Sequence, residues 1–575
     1  MQVSGPANLE SAGDNGPGRV MVVALDGATW DLARPWMEAG HMPHLSSLVA
    51  DGVSAGMRAE MPPSSVPNWP AFMTGKNAGK HGCLWWLQRD SRGRIDQTPV
   101  DSRAVVGETL WSHLSAHGKR VVVQNVPVTY PVEPVNGVMV SGLLTPRGAD
   151  DYVFPPELKA ELDAAVGGYH IYPQGAYGKG RELTYLEALI ENIRQHARAA
   201  EFMLGSLSWE FFLLVLGPTD ECAHKYWHYT DPTHERYRSE DAARLGDALQ
   251  RVYSAADEVI GQLARHLKAE DTLIVLSDHG FGPLERFFLP NNWLLREGFL
   301  RLKRGGATPL KHALFRLGLT PSRIFPLGKQ VLALLPRSGA LRQRLDPGRQ
   351  GGRSPLRKVF LSAEDIDWSR TRAIASGFLC SQIYINLCGR EPDGIVDVDE
   401  YEPLRDRLIA ELGSVVDPLS GAPHYAGIFR REDLYQGPLV DRLPDLLCVP
   451  ADLRAADAGM DFRSNTLFAR EMALSGTHRE QGIFAMRGPG VRRGAVVPPV
   501  RIFDFAPTIL HRLGLPVPDD MDGQVVAVAL EPDWLSTHPV ERAPLAASRR
   551  GGSTGYSEEQ EALVVDRLRD LGYLD

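Results

Sequence analysis

Four short runs constrain this chain most: residues 19–25 (RVMVVAL), 120–124 (RVVVQ), 211–216 (FFLLVL) and 272–276 (TLIVL). Each is apolar on both faces and rich in β-branched residues, the pattern of a strand buried inside a parallel sheet. Amphipathic stretches of helical period lie between them, at 186–207 and 241–267. Strand and helix alternating over some 250 residues predict an α/β fold, a three-layer α/β/α sandwich with a mostly parallel central sheet. In such sheets functional groups gather where strands end at their carboxyl edge.

The residues after these strands are therefore the ones to inspect. Asp26 follows the first. Asp220 follows the third after Gly-Pro-Thr, with His224 four residues on. Ser277-Asp278-His279-Gly280 follows the fourth. Far along the chain, Gly476-Thr477-His478 reads as a segment between two loops. Carboxylate oxygen and imidazole nitrogen are ligands for a borderline ion such as zinc. An Asp/His pair at i, i+4 can face one ion from a single helical turn. Singly, each feature also reads as a helix cap, a surface pair or a plain turn; their recurrence at several strand ends favours a metal centre.

Residues 62–70 (PPSSVPNWP) read as a proline-stiffened loop carrying Ser64 and Ser65, and 71–75 reads as the start of a helix whose amides would face an anion. A serine hydroxyl is a weak nucleophile at its ordinary pKa and needs a base or a metal to act. On this reading either serine fits.

The segments ALDGATWD (24–31), SSVPNWPAFMTGKNAGKHG (64–82), GPTDECAH (217–224), LSDHGFG (276–282), SGTHREQGIF (475–484) and IFDFAPTILHRLGLPVPDDMDG (502–523) together resemble the alkaline phosphatase superfamily. Within it they are most similar to type I phosphodiesterase/nucleotide pyrophosphatase-like proteins. The resemblance implies a metal-dependent hydrolase of phosphoric esters with two divalent ions, usually zinc, with manganese as the other candidate. Asp220, His224 and His478 would hold one; Asp26, Asp278 and His279 the other, together with Ser65. By register Ser65 is the matching nucleophile, where many relatives carry threonine, and a covalent phosphoseryl intermediate is implied.

Two departures bear on the substrate. Ser65-Val66-Pro67-Asn68-Trp69 is close to the Ser-x-Pro-x-Arg sequence that sulfatases convert to formylglycine, but Trp69 replaces arginine, so the serine stays a serine. Similar pyrophosphatases carry an asparagine about twenty residues after the nucleophile; here that stretch is His81-Gly82-Cys83-Leu84-Trp85-Trp86. Asn68, Trp85 and Trp86 are the candidate substrate contacts, the tryptophans by stacking on a base or apolar group, with pocket wall or core as the competing reading. A phospho-group transferase acting on a lipid or glycan head group, and a phosphomonoesterase, are the alternatives.

Residues 301–360 hold 14 Lys or Arg and one acid, Asp346, with apolar residues at helical spacing broken by Pro321, Pro326 and Pro336. This reads as a basic helical cap insert, solvated over the active site, set against an anionic membrane surface, or in direct contact with an anionic substrate. The expected organisation is thus a tail (1–18), a catalytic core in two parts (19–300 and 361–540) flanking the insert, and a linker with a C-terminal helix (541–575). The net charge of -9 gives no electrostatic case for a nucleic-acid partner. A phosphorylated small molecule or nucleotide-type substrate is expected instead. Five scattered cysteines and a polar, Gly-rich N-terminus predict a reducing, cytoplasmic location, with the insert allowing peripheral contact with a membrane.

Overall fold

A computed structural model of the protein describes residues 18–89, 94–95, 98–324, 359–459, 462–470, 473–544 and 555–572. Its centre is a ten-stranded sheet. Five strands run parallel, in the spatial order Thr272–Leu276, Val20–Leu25, Phe211–Leu216, Val121–Val126 and Gly137–Ser141. All four apolar runs are among them. Nearly every side chain of these strands is buried, so both faces of the sheet must be covered. Each buried Val, Leu or Ile contributes about 1.5–3 kcal/mol.

One helical layer contains Glu182–Ser206, Pro218–Thr230 and Ala248–Ala264, packed on one another. The other contains Ser65–Thr74, Leu110–Ala116 and Phe505–Arg512. The helix expected over 241–267 is two helices, Ser239–Leu245 and Ala248–Ala264. The break falls at Gly246-Asp247, where the amphipathic period continues but glycine weakens the helix.

Three strands lacked a clear apolar signature. Val53–Arg58 contains Ser54 and Gly56, and Gln481–Arg487 starts polar, yet they pair antiparallel with each other. Gln481–Arg487 also pairs antiparallel with Thr272–Leu276, which extends the sheet on that side. Val153–Phe154 closes the opposite edge antiparallel.

Two further apolar runs, 382–387 (QIYINL) and 445–449 (DLLCV), read from sequence as strands that resume the pattern of the central sheet, but they do not join it. Ser381–Ile385 and Leu446–Pro450 pair antiparallel with each other, flanked by Ala373–Ser376 and Tyr425–Arg430, in a separate four-stranded sheet. That sheet carries its own apolar cluster, including Leu294, Ile374, Ile383, Leu408 and Leu446. A strand buried on both faces reads alike wherever it sits, which is why periodicity could not assign the sheet.

Of the basic insert, Thr308–Arg316 is helical. It docks on this second cluster through Phe315 against Phe462 and through Lys311 Nζ, which donates to Asp365 Oδ2 at 2.9 Å. Residues 325–358, with the second apolar stretch of the insert, lie outside the described residues. The start of the expected linker is paired: Arg542–Ala543 lies parallel to Val517–Pro518. Among the described residues no helix is long and apolar enough to cross a membrane.

Candidate functional site

Three neighbouring parallel strands deliver the first ligand candidates. Val20–Leu25 lies between Phe211–Leu216 and Thr272–Leu276. Asp26, the helix bearing Asp220, and Asp278-His279 therefore emerge side by side from one sheet edge, at strand spacings of about 5 Å. Asp220 sits in the first turn of Pro218–Thr230 and His224 one turn later. The segment read as lying between loops is a strand, Gly476–Arg479, antiparallel to Gly280–Pro283 with Phe281 opposite His478. That register sets His478 beside Asp278 and His279.

The six side chains meet. Asp220, His279 and His478 form one group of mutually close donor atoms, and Asp26, Asp278 and His279 another, each within 4.8 Å. His478 Nε2 is 3.1 Å and His224 Nε2 3.5 Å from Asp220 Oδ1. His279 Nε2 is 3.4 Å from Asp278 Oδ2 and 3.6 Å from Asp26 Oδ1.

The backbone fixes every imidazole. His224 Nδ1 pairs with the Gly476 carbonyl at 2.9 Å, His279 Nδ1 with that of Gly280 at 3.0 Å, and His478 Nδ1 with that of Pro63 at 3.0 Å. A carbonyl only accepts, so Nδ1 carries the proton in each ring and Nε2 presents a lone pair. His224 Nε2 and His478 Nε2 then face each other at 3.0 Å, lone pair to lone pair. Asp26 Oδ1 and Asp278 Oδ2 are buried without a hydrogen-bond partner. Converging lone pairs and orphaned carboxylate oxygens are the donor set that divalent cations satisfy, so the residues present fit divalent metal binding.

The electrostatics agree. Burial, then Asp278 and Asp220, hold the Asp26 carboxyl well above its usual range. Burial and then Asp220 push Asp278 up to about 7. Burial takes His224 down to about 3 despite the nearby Asp220, and holds His478 well below the ordinary histidine value with His279 adding to the effect. Crowding beside other carboxylates raises the pKa of Asp26 and Asp278, and positive charge placed between them would offset it.

Ser65 is not in a loop. It is the first residue of the helix Ser65–Thr74, with Ser64 as an extended N-cap. Pro67 is tolerated because first-turn N–H groups need no intrahelical partner. Ser65 Oγ is 3.4 Å from His279 Nε2 and lines the cavity that also meets Asp26 and Asp220. Ser64 Oγ is buried without a partner.

The expected substrate contacts point elsewhere. Asn68 spends both amide protons on the carbonyls of Glu60 (3.3 Å) and Ser64 (2.8 Å), while its Oδ1 accepts from Glu60 N at 2.7 Å. It braces the segment before Ser65 and has no donor left for a ligand. Trp86 is fully buried, and Trp85, 5% exposed, stacks on Phe378. Both belong to the core cluster.

Several residues that act here were not singled out from sequence. Trp69 Nε1 donates to Asp26 Oδ2 at 3.3 Å, and Gly27 N to Asp278 Oδ1 at 3.2 Å. The Asp-Gly pair ending the first strand is a readable signal for Gly27; nothing in one dimension marks the indole. Glu221, beside Asp220, pairs with Lys225 Nζ at 2.7 Å and Arg567 Nη2 at 2.9 Å. Burial raises its carboxyl, but Arg567 and Lys225 outweigh that and hold it well below the usual carboxylate range.

Comparison with known proteins gives one family, described as type I phosphodiesterase / nucleotide pyrophosphatase, whose match spans residues 20–349. Among solved structures, an inactive form of murine ectonucleotide pyrophosphatase / phosphodiesterase 5 in complex with AMP is 14% identical with a TM-score of 0.47, covering 87% of this chain and 95% of that one. Phosphonoacetate hydrolase from Sinorhizobium meliloti, in complex with phosphonoformate, is 13% identical with a TM-score of 0.49, covering 87% and 95%.

Proposed function

This chain belongs to the type I phosphodiesterase / nucleotide pyrophosphatase family, and from that premise we propose that it hydrolyses a small phosphoric ester with Ser65 as nucleophile beside a two-cation centre. The observation that carries the reading is the set of three inward-facing Nε2 atoms, each fixed by a backbone carbonyl, meeting three aspartates around one hydroxyl. Asp220, His224 and His478 would hold one ion, and Asp26, Asp278, His279 and Ser65 the other. Their nitrogen and oxygen donors suit Zn²⁺, and Mn²⁺ accepts the same set. Bound there, two divalent cations would neutralise phosphoryl charge and acidify a hydroxyl.

Ser65 Oγ gives its proton to water and attacks phosphorus in line with the departing alkoxide. The P–O bond to that group breaks, the alcohol leaves with a proton from water, and a phosphoseryl ester remains. Water then attacks the same phosphorus, Ser65 Oγ departs, and it takes back a proton. The first-turn amides of Ser65–Thr74 face this phosphoryl group, and a helix N-terminus favours its negative charge.

A panel of mono- and diesters on the metal-loaded protein tests this. Ser65→Ala should lose activity by about 10³-fold or more while metal content, measured by emission spectrometry, stays close to that of the parent. Undiminished turnover in Ser65→Ala would remove the nucleophile.

A further inference from the structure

The cavity that reaches Ser65 is closed by a segment beyond the matched residues 20–349: the C-terminal helix, Glu558–Leu571. The helix is part of the packed structure. Ser557 and Gln560 cap it reciprocally, Val564, Leu568 and Leu571 are buried, and Tyr556 donates to the Leu144 carbonyl at 2.8 Å. From it Arg567 enters the cavity wall, which it shares with Ser65, Asp26, Asp220, Tyr172 and Asn192.

Arg567 is 6% exposed. Its guanidinium lies 4.6 Å over the Tyr172 ring, and Nη2 donates to Glu221 Oε2 at 2.9 Å. Its Nε is buried with no partner. Glu221 is shared with Lys225, whose Nζ is 2.7 Å from Oε1. Two buried cations on one carboxylate leave an excess of positive charge, an arrangement that is costly unless an anion completes it. A guanidinium with unused donors is the side chain best shaped to take an oxyanion.

We propose that Arg567 forms an anionic subsite next to Ser65, so that the preferred substrate is a phosphoric ester carrying a second oxyanion, a carboxylate or a phosphate. This rests on the hydrolase reading above for the reacting end of the substrate, and on Arg567, Glu221 and Lys225 for the other. If Arg567 served only to clamp the helix to Glu221, its loss would weaken every ester alike.

The test uses three aryl phosphodiesters whose second arm ends in a carboxylate, a phosphate or an uncharged hydroxyl. In the full-length metal-loaded protein, kcat/KM for an anionic arm should exceed that for the hydroxyl by about tenfold or more, mainly through KM. That ratio should collapse in Arg567→Met and be partly kept in Arg567→Lys. The better of the two anionic arms identifies the oxyanion. Equal kcat/KM for all three esters in the unaltered protein, which needs no variant to fold, would overturn the proposal, as would an unchanged ratio in Arg567→Met. Calorimetric binding of the same esters to Ser65→Ala reads the subsite without turnover: affinities ordered by charge support it, and charge-blind affinities refute it. Absence of turnover for all three beside charge-ordered affinities would sink the hydrolase reading alone.

Discussion

Each histidine of the centre has its Nδ1 proton committed to a carbonyl, from Gly476, Gly280 or Pro63. The placement of the three candidate ligand nitrogens is thus set by the backbone, and small backbone changes should be felt there. Gly27 is the sharpest case. Its φ is +66°, and a Cβ would lie 2.9 Å from Phe281 Cδ2, 3.2 Å from His279 Cε1 and 3.3 Å from Asp220 Oδ1. We predict that Gly27→Ala lowers metal affinity and kcat by about 10–100-fold, read by metal titration and turnover; parent-like affinity would show that the ligands tolerate the intrusion. The convergence of these side chains was legible in the sequence because Asp26, Asp220 and Asp278-His279 follow recognisable strands. Trp69 was not, since its value lies in an N–H aimed at Asp26 across 43 positions. Asn68 misled because a polar residue near a nucleophile looks like a ligand contact until its partners are known.

At the level of elements, strands declared themselves and context did not. The prolines of 62–70 read as a loop, yet Pro67 occupies the first turn of a helix that begins on Ser65, the proposed nucleophile. Helix Glu182–Ser206 shows what amphipathic pattern alone conceals: it buries polar residues too. His196 on it is neutral, accepting at Nδ1 from Asn125 Nδ2 at 2.9 Å and donating from Nε2 to the His170 carbonyl at 3.0 Å. Burial pushes it down from 6.5 to about 4. The unfolded chain therefore binds this proton first as pH falls, and the stability present above pH 6.5 declines toward pH 4, by about 3 kcal/mol from this group. His196→Gln should lose part of that acid sensitivity, seen as a smaller drop in urea midpoint between pH 7 and 5; an equal drop would place the sensitivity elsewhere.

Taken whole, the molecule has two large apolar clusters that share no residue, one around the central sheet and one around the antiparallel sheet of 373–385 and 425–450. All six metal-ligand candidates belong to elements of the first. Calorimetry should resolve two transitions, and chelation should lower only the one belonging to the central sheet, by about 10 °C for ions bound far above their Kd. A single transition that moves as a unit would mean the clusters unfold together. The fold class was readable from four apolar runs, whereas the division into two clusters was not, because it depends on which strands find each other.

The place of Gln481–Arg487 in the sheet, between Val53–Arg58 and Thr272–Leu276, has a consequence during synthesis. Thr272–Leu276 leaves the ribosome roughly 200 residues, and Val53–Arg58 roughly 420 residues, before the strand that joins them, so at about 5–20 residues per second their open hydrogen-bonding edges wait about 10–40 s and about 20–85 s. His478 arrives just ahead of that strand, so in the nascent chain the closing of the sheet and the completion of the ligand set are nearly one event. Until then, a waiting holdase or a stray β-strand competes for the same gap.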